Sequence, residues 1–175
     1  MAMPTAARWA GLALLLLFAG PAPADWRSVV PAAQLSGSGE FTWFGMRLYS
    51  ARLWSSGPVQ DGQHAFALEL RYHVELSRDT LVQASLKEMR RLGAAPEQLD
   101  AWRGLLEAAF VDVRPGQRIT GVYLPGLGCR FYVDDRLRRE IGDTAFAKAF
   151  FAIWLGEGAR DQQLRARLLG RQPWG

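Results

Sequence analysis

Residues 66–74, Phe-Ala-Leu-Glu-Leu-Arg-Tyr-His-Val, constrain the chain more than any other stretch. Phe66, Leu68, Leu70, Tyr72 and Val74 alternate with Glu69, Arg71 and His73, a period of two that fits a strand with one buried and one wet face. A half-wet strand belongs to an antiparallel sheet, because parallel sheets are covered on both faces. The period recurs in residues 46–54. Met46, Leu48, Ser50, Arg52 and Trp54 share one face there, and Arg47, Tyr49, Ala51 and Leu53 the other. Gly45 places a tight hairpin between this run and residues 35–45, a strand loosened by Gly37 and Gly39. Glycine inside a strand marks a bulge or a close backbone approach.

Helical spacing takes over after residue 76. Ser77 is the expected N-cap of a helix whose stripe is Val82, Leu86, Met89 and Leu92, closed by Gly93. Pro96 opens a second helix with Leu99, Trp102, Leu106 and Phe110 inward. Arg114-Pro115-Gly116 turns the chain into strands over 117–124 and 128–133, which flank Pro125-Gly126. Asp134-Asp135 then turns it into 136–141, a charged strand suited to a sheet edge. Asp143 caps a helix over 144–155 that is apolar almost all round, so Phe146, Phe150 and Ile153 should anchor the core. A last helix over 161–169 ends at Gly170, and residues 25–33 read as an irregular leader. The sum is one α+β domain over 25–175: a large antiparallel sheet of six strands with a layer of helices on one face.

Residues 1–24 read as a cleaved signal peptide. Arg8 is the one early charge, residues 11–20 are apolar, and Ala22 and Ala24 form a small-x-small site. The apolar run is about half of the roughly 20 residues a spanning helix needs, so no stable membrane insertion is expected after cleavage. The mature protein would be periplasmic or secreted, and the net charge of +4 falls by one with Arg8. That balance, without a basic stripe interleaved with aromatics, gives no reason to expect a nucleic-acid partner. Cys129 is the single cysteine and cannot form an internal disulfide; its alternating strand context predicts a buried, unreactive thiol.

Catalytic signatures are missing. There is no G-x-S-x-G elbow and no phosphate-binding loop, and Gly37-Ser38-Gly39 sits in a strand. His64 and His73 are too few for a metal site, even with Glu75 two residues from His73, and Asp134-Asp135 suits a turn better than a carboxylate dyad. No metal or cofactor is expected. Aromatic residues at core-like spacing dominate instead. A sheet covered on one face can leave an apolar cleft beneath its helices, and polar groups on its strands, Tyr49, Ser50, Arg52, Tyr72 and Tyr123, would then orient the polar end of a ligand.

Several stretches together resemble the chalcone-isomerase-like family. They include Gly37-Ser38-Gly39-Glu40 with Trp43-Phe44-Gly45, Tyr49-Ser50-Ala51-Arg52-Leu53-Trp54, Thr120-Gly121-Val122-Tyr123-Leu124-Pro125-Gly126 and Phe150-Phe151-Ala152-Ile153-Trp154-Leu155-Gly156. The resemblance implies an open-faced sandwich with any ligand cleft between sheet and helices. It also implies, for a true chalcone isomerase, an arginine after the G-x-G-E segment, a threonine on the next strand, and Tyr and Asn on the first helix. Here Phe41 stands at the arginine position and Ser50 near the threonine position, and residues 77–86 hold neither Tyr nor Asn. An arginine that stabilises a developing oxyanion is worth about 10² to 10³ in rate, and Phe cannot replace it. The expectation is a non-catalytic exported protein that binds a small apolar ligand such as a fatty acid. The alternatives are an isomerase or lyase on another substrate, and a protein-interaction module with a filled cleft. Processing is the first test: N-terminal sequencing of exported protein should begin at Asp25. A start at Met1 in a membrane fraction would mean that residues 11–20 act as an anchor.

Overall fold

A computed structural model describes residues 25–171. Six strands form one antiparallel meander in the order β1-β2-β3-β4-β5-β6. They are β1 (Gln34–Trp43), β2 (Met46–Ser55), β3 (Phe66–Tyr72), β4 (Arg118–Leu124), β5 (Gly128–Val133) and β6 (Arg136–Ile141). Helices α1 (Arg78–Arg91) and α2 (Pro96–Ala109) connect β3 to β4, and α3 (Thr144–Leu155) and α4 (Gln162–Leu168) follow β6. The α+β expectation holds. No helix among the described residues is long and apolar enough to cross a membrane.

Side-chain parity assigns the faces. Tyr49, Ala51 and Leu53 of β2 align with Tyr72, Leu70 and Leu68 of β3, and β4 continues the rows with Ile119 and Gly121. All of these lie on the helix-covered face. The covering helices start where their caps dictate: Ser77 Oγ accepts from Thr80 N at 3.1 Å, Asp143 Oδ1 from Phe146 N at 2.9 Å, and Asp161 Oδ1 from Leu164 N at 2.9 Å.

The helices do not all reach the sheet equally. α4 lies on β1, α3 on β5 and α2 on β6, whereas α1 packs mainly against α2 and α3. Two glycines permit the close approaches. A side chain at Gly37 would collide with the Arg167 carbonyl at the end of α4. One at Gly121 would press on the Phe151 ring, 3.0 Å away. Gly37 also adjoins a register shift in the β1–β2 ladder, so both structural meanings of a strand glycine occur here. On α3, Phe146, Ala147, Phe150 and Phe151 are buried, and Ile153 and Trp154 are half-buried. Phe150 touches the rings of Phe110, Phe131, Phe146, Phe151 and Trp154.

The opposite face corrects one expectation and adds packing to another. Residues 25–33 are irregular, as expected, but they are packed on the sheet. A 3-10 turn over Trp26–Ser28 carries Trp26 and Val30 onto Ala67, Val122 and Tyr132, forming a second, smaller core. The second face of β3 is therefore only partly wet: Arg71 is exposed, as expected. Ala67 is fully covered, and Glu69 is only 4% exposed, with Arg118 3.8 Å from its carboxylate. An aperiodic segment distant in sequence thus covers part of a face that the alternation alone leaves open.

Phe150→Ala should destabilise the protein by about 3–5 kcal/mol, because the ring is buried in a cluster that can only partly collapse. Thermal or urea unfolding measures it. A negligible change would mean that α3 does not hold the helical layer to the sheet.

Candidate functional site

Because α1 rests on its sister helices, a space of about 340 Å³ is left between it and the sheet. Its floor is Leu68, Leu70 and Tyr72 of β3 with Ile119 and Gly121 of β4. α1 supplies Leu81 and Ser85 at helical spacing, and α3 supplies Phe150, Ile153 and Trp154. Phe41, Trp43, Leu48 and Tyr49 close the β1–β2 side. The lining is mainly apolar, as small-molecule sites of about 300–1,000 Å³ commonly are.

The polar groups within it are few. Trp154 Nε1 donates to Tyr49 Oη at 2.9 Å, which ties α3 to β2 and leaves the Tyr49 proton free to be donated. Tyr72 stands edge-on to Tyr49, with ring centroids 5.8 Å apart. Burial pushes both phenols well above the usual tyrosine range, so they are neutral donors at any physiological pH. Ser85 is occupied, donating to the Leu81 carbonyl at 2.9 Å.

Charge is confined to the solvent side of the cleft, where Lys87, Glu88, Arg160 and Asp161 line it. Partial burial acts to raise the Glu88 carboxyl, but bonds from Arg160 and Arg91 outweigh it and hold the group below the usual range. Arg160 reaches it at 2.6 Å and Arg91 at 2.9 Å. Phe41, at the position where the resemblance places a catalytic arginine, does line the cleft and stacks on Tyr49 at 5.0 Å. The cleft thus has rings at that position and no cation.

The five sequence-nominated residues do not form one site. Tyr49 and Tyr72 meet in the cleft. Tyr123 shares that face but lies outside the cleft lining, against Phe66 and Phe151, and its hydroxyl donates to the Gly62 carbonyl at 3.3 Å. Ser50 and Arg52 lie on the other face, in a separate polar recess with Glu69, Arg71, His73, Pro115 and Gly116. There Ser50 Oγ is 2.7 Å from His73 Nε2 and donates to Glu40 at 2.8 Å, while Glu40 also sits 3.1 Å from Nε2. A Ser–His pair oriented for nucleophilic attack has its carboxylate on the other imidazole nitrogen. This arrangement is instead a polar clamp joining β1, β2 and the residue that follows β3. Among the described residues no cluster of His, Cys, Asp or Glu could hold a metal. Cys129 is buried, and burial pushes its thiol up to about 12.

The comparisons with known proteins agree with this architecture. A family model described as chalcone isomerase-like matches residues 30–170. An uncharacterised protein of Haemophilus influenzae is 24% identical over 161 residues, covering 91% of this chain and 76% of its own. Among solved structures, a fatty-acid binding protein of Arabidopsis thaliana superposes with a TM-score of 0.62 at 12% identity, over 85% of this chain and 90% of its own.

The two phenols of the cleft make an alkaline prediction. The folded protein keeps both protons while the unfolded chain releases them near the ordinary value of 10.0. The folded state then binds more protons, so stability is intact below about pH 10 and falls as pH rises beyond it. Tyr72→Phe should move the alkaline unfolding midpoint upward. Phenolate absorbance should appear for Tyr49 and Tyr72 only as helical circular dichroism is lost; full titration in the folded protein near pH 10 would contradict the burial.

Proposed function

Since this chain belongs to the chalcone isomerase-like family, we propose that it is a non-catalytic binding protein that holds a small, mainly apolar ligand of the fatty-acid type in the cleft beneath α1. The observation that carries the reading is the cleft itself: about 340 Å³ lined by aromatic and aliphatic side chains, with Phe41 at the position the family's enzymes give to arginine. Chalcone cyclisation needs an ionised phenol. An anion placed among Phe41, Leu70 and Phe150 has no cation to meet, and burying it unpaired is costly enough to keep it protonated. The likeness to a fatty-acid binding protein supports the same choice of ligand class.

The distribution of charge orients the ligand. Lys87 and Arg160 are the cations of the lining, and both are exposed. A carboxylate is therefore held at the mouth, where it keeps part of its hydration, while the acyl chain runs inward over Phe41, Tyr49 and Tyr72. The phenols can donate to an uncharged oxygen carried deeper in the cleft, but they do not neutralise a carboxylate. Residues 1–24 complete the proposal as a removed export signal that delivers the binding protein outside the cytoplasm.

Displacement of a fluorescent fatty acid tests the reading. The chain from Asp25, which holds every described strand and helix, should bind it saturably. Ala84→Trp, which adds a ring at an exposed position of the cleft wall, should weaken binding about tenfold or more without loss of fold. The same protein incubated with a chalcone should give no flavanone above buffer. Stereoselective turnover, or binding indifferent to Ala84→Trp, would contradict it.

A further inference from the structure

We propose that the tip of the β1–β2 hairpin docks on a lipid bilayer and sets the cleft mouth against it, an inference whose purpose rests on the apolar-ligand reading above. The tip is a two-residue turn. Trp43 pairs with Met46, and Phe44 and Gly45 between them have φ of 48° and 76°. Such a turn needs left-handed backbone at both central residues, which suits Asn, Asp and Gly. The β5–β6 hairpin has the same construction, with Val133 paired to Arg136, and it fills the two places with Asp134 and Asp135 at 46° and 67°. Phe44 instead combines an unfavourable backbone for a bulky residue with a ring that is 93% exposed. Among the described residues its one aromatic partner is Trp43, edge-on at 5.1 Å. Trp43 at 47% and Met46 at 54% exposure flank it, so the hairpin ends in an apolar wedge.

The wedge is continuous with the cleft. Trp43 lines both, and it stacks on Phe41 at 6.4 Å, which stacks on Tyr49 at 5.0 Å. An acyl chain rising from a bilayer under the wedge would follow these rings without crossing water. The surrounding charge suits acidic headgroups. Arg47 is exposed on the hairpin, and Lys87 and Arg160 stand at the mouth. Of the nearby carboxylates, Glu88 is paired with Arg91 and Arg160, and Asp161 caps α4. A narrow tip of Trp and Phe also matches the headgroup–acyl boundary, where aromatic rings partition. A stable protein interface asks for a broader face, about 800 Å² per partner.

The last described residues, Gly170 and Arg171, lie away from the wedge. Gly170 lies against the Ser36 carbonyl, and Arg171 bonds Gln60 at 2.8 Å, both at the far end of β1. Phe44 is eight residues along from Ser36, roughly 26 Å at about 3.3 Å per residue.

The test is co-sedimentation of the chain from Asp25 with phosphatidylcholine vesicles containing phosphatidylglycerol, for wild type and Phe44→Asn. Asn is at home in left-handed backbone, so the variant should melt above wild type. Phe44 does not line the cleft, so binding of a fluorescent fatty acid in vesicle-free buffer should be unchanged. Wild type should sediment with the vesicles, less so in high salt, and Phe44→Asn should weaken this about ten- to a hundredfold, the worth of burying one phenylalanine ring. Absence of wild-type sedimentation, or equal sedimentation of the two proteins, overturns the proposal. Sedimentation velocity showing a wild-type dimer that Phe44→Asn dissociates also overturns it, because the occupant is then a second copy. Phe44-dependent docking by a protein that binds no fatty acid supports the docking surface while removing the ligand reading.

Discussion

Edge-to-face contact between Phe150 of α3 and Phe131 of β5, with centroids 5.0 Å apart, sets the height at which the helical layer stands above the sheet. Phe110 and Phe146 extend the same cluster, and each such pair adds about 0.5–1.5 kcal/mol beyond the area it buries. Toward β1 the layer comes down, because Gly37 and Gly39 present no side chains to α4. α1, with no such seat, leans on α2 and α3. The cleft is the volume that remains beneath it, so its existence follows from where the aromatic contact and the glycines fall along the strands.

The two faces of the sheet then take different work. One holds the large core and the cleft. The other is covered in part by Trp26 and Val30 and elsewhere carries ion pairs and hydrogen bonds, including Arg118 to Asp135 at 2.6 Å and Arg130 to Glu140 at 2.9 Å. Most of that polar chemistry is committed to neighbouring strands. On the cleft face, the Tyr49–Trp154 bond joins sheet to helix at the wall of the cleft.

Much of this was legible in the sequence. Alternation in 46–54 and 66–74 sorted the two faces of each strand, the register of β2 on β3 then brings Tyr49 beside Tyr72, and the caps at Ser77 and Asp143 placed two helix starts. The same alternation already separated Ser50 and Arg52 from Tyr49, so a single polar site drawn from all five nominated residues ran against its own parity. Tyr123 has the right parity, yet Phe151 lies on it and the Gly62 carbonyl takes its hydroxyl. What the pattern could not carry was the path of residues 25–33, because Trp26, Val29 and Val30 have no periodicity and their partners Ala67, Val122 and Tyr132 are remote. Nor could it show that α1 stands away from the strands, which depends on the summed volumes of α2 and α3. The cleft face of α1, Leu81, Ser85 and Glu88, had a helical-spacing signal that becomes readable only once the stand-off is known.

The ligand of the proposed function lies in the cleft and not in the polar recess on the opposite face. Nuclear Overhauser contacts from a carbon-13-labelled fatty acid to the protein's side chains decide this most directly. The chain methylenes should show contacts to the rings of Phe41, Tyr49, Tyr72 and Phe150. Contacts to His73 and Arg52, or none at saturating ligand, would contradict it.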